Sequence, residues 1–271
     1  MATTAYSRLT DIDEKSTVLV LRITFAFLSA ATLLSLVAVL TYVKAGTPDQ
    51  TYIAAMSAII NAVAAYHYYE IIKVRKDSSI TLASEWTVEA LRHSDWAVTM
   101  PLLVLKLYAL INNPEHDLIL QSVDASALCA TIMVLLGAWV RLGLDEMAPK
   151  DEMAGRQGLK LADVITGTVA YLVSFALLIL LIIDLCQAYG GVDTTAIVYS
   201  FFLVWPCYGL THLAACLFRA CTNERAPSEN SYPKNLSLIK DVIYAALDIF
   251  SKAVFAWYTS SVAFNKSVLG G

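Results

Sequence analysis

Seven long apolar stretches follow one another along this chain of 271 residues, with short polar connections between them. Each stretch reaches or exceeds the roughly 20 residues that a helix needs to cross the hydrocarbon core of a bilayer. The approximate spans are 17–43, 51–73, 86–111, 118–140, 162–187, 194–218 and 236–263. The composition agrees, because 58% of the residues are hydrophobic and only 15% are charged. We therefore predict an all-α membrane protein in which residues 1–271 form one bundle of seven transmembrane helices.

The segments outside the spans are too short for a soluble domain. The first seventeen residues are rich in charge and have no cleavage pattern, so no removable signal peptide is expected. The seven residues after Phe264 are too few for a catalytic or nucleic-acid-binding module, which argues against an enzyme. The five cysteines have no CxxC spacing, so no metal site is expected. Any output must come from the helices or from a partner.

Lysine and arginine in the connections and near the ends of the spans are distributed very unevenly between the two sides of the membrane. Thirteen lie on the side of the N-terminus, and the other side has only Lys44 and Lys266. The thirteen are Arg8, Lys15, Lys73, Arg75, Lys76, Arg141, Lys150, Arg156, Lys160, Arg219, Arg225, Lys234 and Lys240. Because cationic loops tend to stay in the cytoplasm, this distribution predicts a cytoplasmic N-terminus.

Ionisable residues also occur within the spans. In the third span, Arg92, Asp95, Thr99 and Lys106 lie within a stripe about 60° wide at 100° per residue. Asp95 and Lys106 are separated by roughly 16 Å along the helix, about half the hydrocarbon thickness. Charges at this depth are costly unless they pair, so they predict a buried functional site rather than a lipid-facing surface.

The seventh span contains Lys252, with Asp248 one helical turn before it. A lysine amine is the side chain that condenses with an aldehyde, and the resulting cation needs a buried anion beside it. On charges alone, a pair that only holds two helices together is an equal alternative.

Two segments change this balance: RHSDWAVTMPLLVLKL in the third span and DVIYAALDIFSKAVF in the seventh. Together they resemble the microbial rhodopsins, and the proteorhodopsin-like proton pumps in particular. The resemblance implies that Lys252 binds all-trans retinal as a protonated Schiff base in the core of the bundle. It also implies that Asp95 is the primary counterion and proton acceptor, Asp248 a second counterion, and Arg92 the residue that orients them.

The resemblance further implies a retinal pocket and a colour-tuning position, Leu103. The implied pocket residues are Tyr68, Trp96, Thr99, Met133, Gly137, Phe202 and Trp205. Two of them depart from the family pattern, since Phe202 replaces a tryptophan and Trp205 replaces a tyrosine close to the Schiff-base aspartate. Asp248 therefore needs a hydroxyl from elsewhere, and the sequence offers Tyr208 or Tyr244 without choosing between them.

His67 and Lys106 each have two interpretations. His67, in AAYHYYE, resembles the proteorhodopsin histidine that bonds to the acceptor aspartate, and the alternative is a neutral histidine bonded to backbone. Lys106 stands where the usual pumps have a carboxylic acid that returns a proton to the Schiff base. It is either an unusual proton donor or a lysine that extends its ammonium to the membrane interface.

Several other carboxylates lie near the ends of the spans. Glu70, Glu85 and Glu89 are expected to be mostly solvated charges at helix ends, whereas Asp241, two turns before Asp248, is a possible proton exit. Asp163 and Asp184 bracket the fifth span and are expected at the membrane interface.

The favoured function is a light-driven proton transporter, with a photosensory or signalling rhodopsin as the alternative and a light-gated channel third. Ordinary microbial rhodopsins have the N-terminus outside, so a cytoplasmic N-terminus would make proton movement inward. The expected partners are the lipid bilayer, protons and, by analogy, further copies of the chain in a trimer or pentamer; no nucleic acid is expected.

Overall fold

The computed structural model of this chain describes residues 14–77, 82–110, 123–146, 161–188, 203–211, 214 and 234–261, and nearly all of them are helical. The helices are α1 (Glu14–Ala45), α2 (Pro48–Asp77), α3 (Leu82–Leu110), α4 (Val123–Glu146), α5 (Leu161–Ala188), α6 (203–211) and α7 (234–261). One helix therefore lies in each predicted span. The largest difference is at α4, which continues to Glu146 instead of ending near 140, while residues 118–122 are outside the described part.

Helix α1 shows why these residues form membrane helices. Its buried side chains are spaced three, four or seven residues apart and form one narrow stripe. They are Thr17, Leu21, Thr24, Leu28, Ser35 and Tyr42. Large apolar side chains cover the rest of its surface, and Leu34 and Leu40 are 66% and 71% exposed. Such a surface is suited to lipid.

The turn between α1 and α2 is determined by three consecutive residues. Gly46 has φ of 72°, and its N–H donates to the Val43 carbonyl over 3.2 Å. The N–H of Thr47 reaches back to the Tyr42 carbonyl over 3.1 Å, which completes a Schellman cap. Pro48 then occupies the first position of α2, where its missing N–H removes no helical bond. The Gly46-Thr47-Pro48 segment between the first two predicted spans is thus a tight helix–helix turn.

Helix α7 is not uniform. It is α-helical over Lys234–Asp248, π-helical over Ile249–Val254 and α-helical again over 255–261. Single-turn π segments inside α-helices often occur at functional sites. Here the π segment contains Lys252.

The chain divides into two compact units, the first drawn from residues 1–88 and 199–271. Within it, α1 packs along α2, where the rings of Phe25 and Tyr69 lie 6.3 Å apart. The Tyr42 hydroxyl donates to the Ser260 carbonyl of α7 over 3.5 Å. Helix α1 therefore packs against both α2 and α7.

The second unit comprises residues 89–198. In it, α4 packs against α5 through polar contacts of small side chains with backbone. Ser174 donates to the Met133 carbonyl over 2.9 Å, and the Cys129 thiol lies 3.6 Å from the Leu177 carbonyl.

Candidate functional site

Lys252 and Asp248 form a buried ion pair in α7. The lysine Nζ lies 3.0 Å from Oδ1 of Asp248, and the two residues are 2% and 1% exposed. The spacing of four residues in the sequence predicted that the two side chains lie close together, and in the structure they are in contact. A buried amine with an anion in contact is the arrangement that an amine-linked cation needs.

Two tyrosines donate hydrogen bonds to Asp248. Tyr68 of α2 reaches Oδ2 over 2.7 Å, and Tyr208 of α6 reaches Oδ1 over 2.7 Å. The choice that the sequence left open is therefore answered in favour of Tyr208. Tyr244 instead stacks on the Tyr208 ring, with centroids 6.0 Å apart and planes 16° from parallel.

The Tyr208 hydroxyl has a second partner, Ser251 Oγ, at 2.8 Å. Since an ionised carboxylate only accepts, Tyr208 donates to Asp248 and accepts from Ser251. Trp205, three residues before Tyr208 on α6, is buried with 2% exposure. Phe202, the other predicted aromatic of this helix, lies outside the described residues.

The charged stripe of α3 is buried, as predicted. Arg92 and Asp95 are each 2% exposed, and Thr99 and Lys106 are fully buried. Arg92 Nη1 lies 3.7 Å from Oε1 of Glu89, one turn away. These residues belong to the second unit, so the approach of Asp95 to Lys252 stays a prediction.

Burial favours one interpretation of Lys106. A lysine that extended its ammonium to the interface would expose it, whereas Lys106 has no exposed surface. Leu103, the predicted colour-tuning residue one turn before it, is 1% exposed. Lys106 is therefore a buried cation or amine of the protein interior.

His67 is half-buried and bonds to backbone, which is the second of the two interpretations given above. Its Nδ1 lies 2.8 Å from the Val63 carbonyl. Because a carbonyl only accepts, Nδ1 carries a hydrogen in this bond. The predicted bond to Asp95 stays a prediction.

The remaining pocket predictions fall in the second unit. Met133 is 8% exposed, and its carbonyl accepts the Ser174 bond. A Cβ added at Gly137 would lie 4.0 Å from Ser174 Oγ, so both positions are adjacent to α5. Trp96 meets the ring of His93 edge-on at 5.1 Å. Met133 and Gly137 thus have a packing role in addition to the implied retinal contact.

A buried ionic network in the first unit corrects several expectations. Arg75, placed above in a connection outside the spans, is 2% exposed. It donates to both oxygens of Asp241, with Nε–Oδ2 at 2.7 Å and Nη2–Oδ1 at 3.2 Å. It also bonds to Glu85, which accepts from Ser237 as well. Lys240, likewise counted among the cations of the N-terminal side, lies 3.5 Å from Glu85.

Glu85 and Glu89 are therefore not solvated charges, since both are fully buried. Glu70 does behave as a surface residue, pairing with exposed Lys73 at 3.0 Å. Burial by itself lowers the pKa of Arg75, but the Asp241 and Glu85 carboxylates outweigh it and raise that pKa, so the guanidinium remains charged.

Asp184, expected at the membrane interface, is not exposed on the surface of the protein. It is fully buried in the second unit and accepts bonds from Tyr108 at 2.6 Å and Ser126 at 2.7 Å. These two hydroxyls are 3.1 Å apart, so the three residues form one cluster joining α3, α4 and α5. A carboxylate near the end of an apolar stretch looks the same in sequence whether it faces water or neighbouring hydroxyls. Asp163 has no described side-chain environment.

Comparison with known proteins supports this architecture. Residues 19–265 match the family of bacteriorhodopsin-like proteins. The fold is similar to that of xanthorhodopsin, a light-driven ion pump with dual chromophore, with TM-score 0.68, 16% identity and coverage of 95% of this chain and 96% of that one. No curated protein matches the chain.

Two further structures are similar. A blue light-absorbing proteorhodopsin from Med12 has TM-score 0.61 and 15% identity, with 92% of this chain and 98% of that one covered. A light-driven proton pump of Coccomyxa subellipsoidea has TM-score 0.60 and 16% identity, with 90% and 95% covered. The chain therefore belongs to the bacteriorhodopsin-like family, the microbial rhodopsins, and is an integral membrane protein with their seven-helix fold.

Proposed function

We propose that this protein binds all-trans retinal covalently at Lys252 and moves protons across the membrane when illuminated. The observation that carries the proposal is the buried Lys252 amine, 3.0 Å from a carboxylate that two tyrosines hold in place. Membership of the rhodopsin family supports it.

The residues present fit an aldehyde ligand. Joining the Lys252 nitrogen to an aldehyde carbon releases water and, after protonation, leaves a buried cation at that nitrogen. Asp248 already lies at contact distance to balance that charge. Retinal, once linked, supplies the absorption of visible light and the energy that displaces the proton.

The buried stripe of α3 provides the groups for proton transfer. Asp95 is the proposed acceptor of the proton from the Lys252 nitrogen, and Arg92 orients the counterions. Arg92 lies 3.7 Å from Glu89, and both side chains are buried. Lys106, fully buried eleven residues after Asp95, is the proposed group that returns the proton.

Asp241 remains the proposed exit residue, and its geometry limits how it acts. Arg75 bonds to both of its oxygens, so a proton that reaches Asp241 must compete with the guanidinium for them. Glu85 bonds to the same arginine as Asp241 and lies close to Lys240. We therefore include Glu85 with Asp241 in the proposed proton exit.

The direction of transport follows from the membrane orientation. Arg75 and Lys240 are buried in the network, which leaves eleven cations on the N-terminal side against two on the other. The bias toward a cytoplasmic N-terminus is therefore retained, and with it the proposal of inward proton movement.

Light-induced pH changes in suspensions of expressing cells test the transport proposal. Inward transport makes the medium more alkaline on illumination, and an uncoupler abolishes the change. Asp95→Asn is expected to abolish it as well, because the acceptor is lost. Asp124→Asn, at an exposed position of α4, is the matched control and is expected to retain it. No uncoupler-sensitive change in the wild type would contradict the proposal.

Lys106 favours one second candidate, a photosensory rhodopsin. It is a buried lysine where the usual pumps have a carboxylic acid, and a sensor tolerates slow return of the proton. Flash photolysis separates the two functions. A photocycle of milliseconds supports the pump, whereas a cycle of many seconds without a pH change supports the sensor.

A further inference from the structure

Asp248 is held asymmetrically, and the asymmetry concerns the atom that faces Lys252. Its Oδ1 accepts from Tyr208 at 2.7 Å and also lies 3.0 Å from Lys252 Nζ. Its Oδ2 accepts from Tyr68 at 2.7 Å. Tyr208 and the lysine nitrogen therefore share one carboxylate oxygen, and Tyr68 uses the other.

A second bond supports the donor role of Tyr208. Ser251 lies 2.8 Å from the Tyr208 hydroxyl and can only donate to it, because the tyrosine hydrogen points at Asp248. A hydroxyl that accepts one bond is a better donor in the next, so the chain Ser251, Tyr208, Asp248 acts as a unit. The π segment contributes, since it contains both Ser251 and Lys252.

The neighbouring residues explain why the bond comes from this position. Trp205, three residues earlier on α6 and buried, has an indole N–H but no hydroxyl. Tyr208 lies on the same side of α6 one turn later. Its ring is held by stacking on fully buried Tyr244.

We propose that Tyr208 is the positioning residue that sets how strongly Asp248 interacts with the Lys252 cation, by supplying to the shared oxygen the hydroxyl that Trp205 lacks. The inference rests on the proposed retinal link at Lys252. A donor on Oδ1 draws negative charge away from the lysine nitrogen, so removing it strengthens the ion pair. Because excitation of a cationic chromophore moves positive charge away from the nitrogen, a stronger anion there raises the excitation energy.

Absorption spectra of the retinal-bound full chain test this inference. Tyr208→Phe is expected to shift the visible band to shorter wavelength, and Ser251→Ala to shift it in the same direction by a clearly smaller amount, since it only weakens the donor. Tyr244→Phe removes a hydroxyl from the stacked neighbouring ring and is the matched control, with the band expected at the wild-type position. Trp205→Tyr combined with Tyr208→Phe is expected to reverse most of the Tyr208→Phe shift and bring the band back toward the wild-type position.

Infrared spectra of the retinal-free protein give a second readout. The carboxylate stretch that disappears in Asp248→Asn is expected to move in Tyr208→Phe and to stay in place in Tyr244→Phe. This measurement reports the bond itself, and it remains available if a variant binds retinal poorly.

The outcomes separate this inference from the proposed function. A colourless wild type, or a Lys252→Ala variant that keeps the band, overturns the retinal link. The retinal link stands if the wild type is coloured and Lys252→Ala is colourless. If Tyr208→Phe and Tyr244→Phe then have the same visible and infrared spectra, only the role of Tyr208 is overturned. If the double variant Trp205→Tyr, Tyr208→Phe is shifted as far as Tyr208→Phe alone, the claim that Tyr208 supplies the hydroxyl that Trp205 lacks is overturned.

Discussion

At the scale of single residues, the centre of this protein is one carboxylate with three neighbours. Asp248 meets Lys252 within its own helix, Tyr68 from α2 and Tyr208 from α6. Hydrogen bonds to a charged group contribute roughly 1.5–3 kcal/mol each. The tyrosines therefore stabilise the buried anion as well as orient it.

Tyr68→Phe is expected to lower the free energy of unfolding by about 1.5–3 kcal/mol, because a bond to a buried carboxylate is lost while the ring remains. Thermal or denaturant unfolding in detergent measures the change. Tyr66→Phe, on the same helix but 59% exposed, is the control and is expected to unfold like the wild type. Equal stability of both variants would contradict the role given to Tyr68.

Sequence could predict part of this centre. The spacing of Asp248 and Lys252 fixes their neighbourhood along one helix, so the pair was predictable from two residues. Tyr208 and Tyr244 were not distinguishable, because the choice depends on how α6 is rotated against α7. The π segment is also invisible in the sequence, where its residues continue the apolar pattern of a regular helix.

At the scale of elements, buried charge ties the ends of α2, α3 and α7 together. Arg75, Glu85 and Asp241 each come from a different helix and are 2% exposed or less. Their burial was not predictable, since a charge at the end of an apolar stretch has the same pattern whether it meets water or an opposite charge. Whether such a charge is buried depends on the register between neighbouring helices, which the spacing of residues in one helix does not give.

Arg75→Gln is expected to lower the free energy of unfolding by about 3–5 kcal/mol, because two buried carboxylates lose their shared cation. Lys76→Gln, the next residue and exposed, is the matched control and is expected to be nearly neutral. Chemical unfolding of the two variants in the same detergent measures the difference. A small effect of Arg75→Gln would mean that the network adds little to stability.

At the scale of the whole molecule, the fold could be predicted more completely than the site. Seven apolar stretches predicted seven helices, and each described helix overlaps its predicted span. Helix length in a membrane is set by bilayer thickness, a constraint that acts on sequence directly. Which buried charges meet depends on packing between helices, and that part of the site needed the structure.

The membrane orientation is a prediction at this same scale. A tag at the N-terminus is expected to react with an impermeant reagent only after permeabilisation, and a tag at the C-terminus in intact cells, because loop cations are concentrated on the N-terminal side. An N-terminal tag that is accessible on intact cells would reverse the direction proposed for proton transport.

The visible absorption spectrum of the purified protein, expressed with all-trans retinal, tests the central claim most directly. The wild type is expected to have a visible band, and Lys252→Ala to have none, because the amine that holds the chromophore is gone. Lys73→Ala, which removes an exposed lysine of α2, is expected to keep the band. A colourless wild type, or a Lys252→Ala variant as coloured as the wild type, would contradict the account.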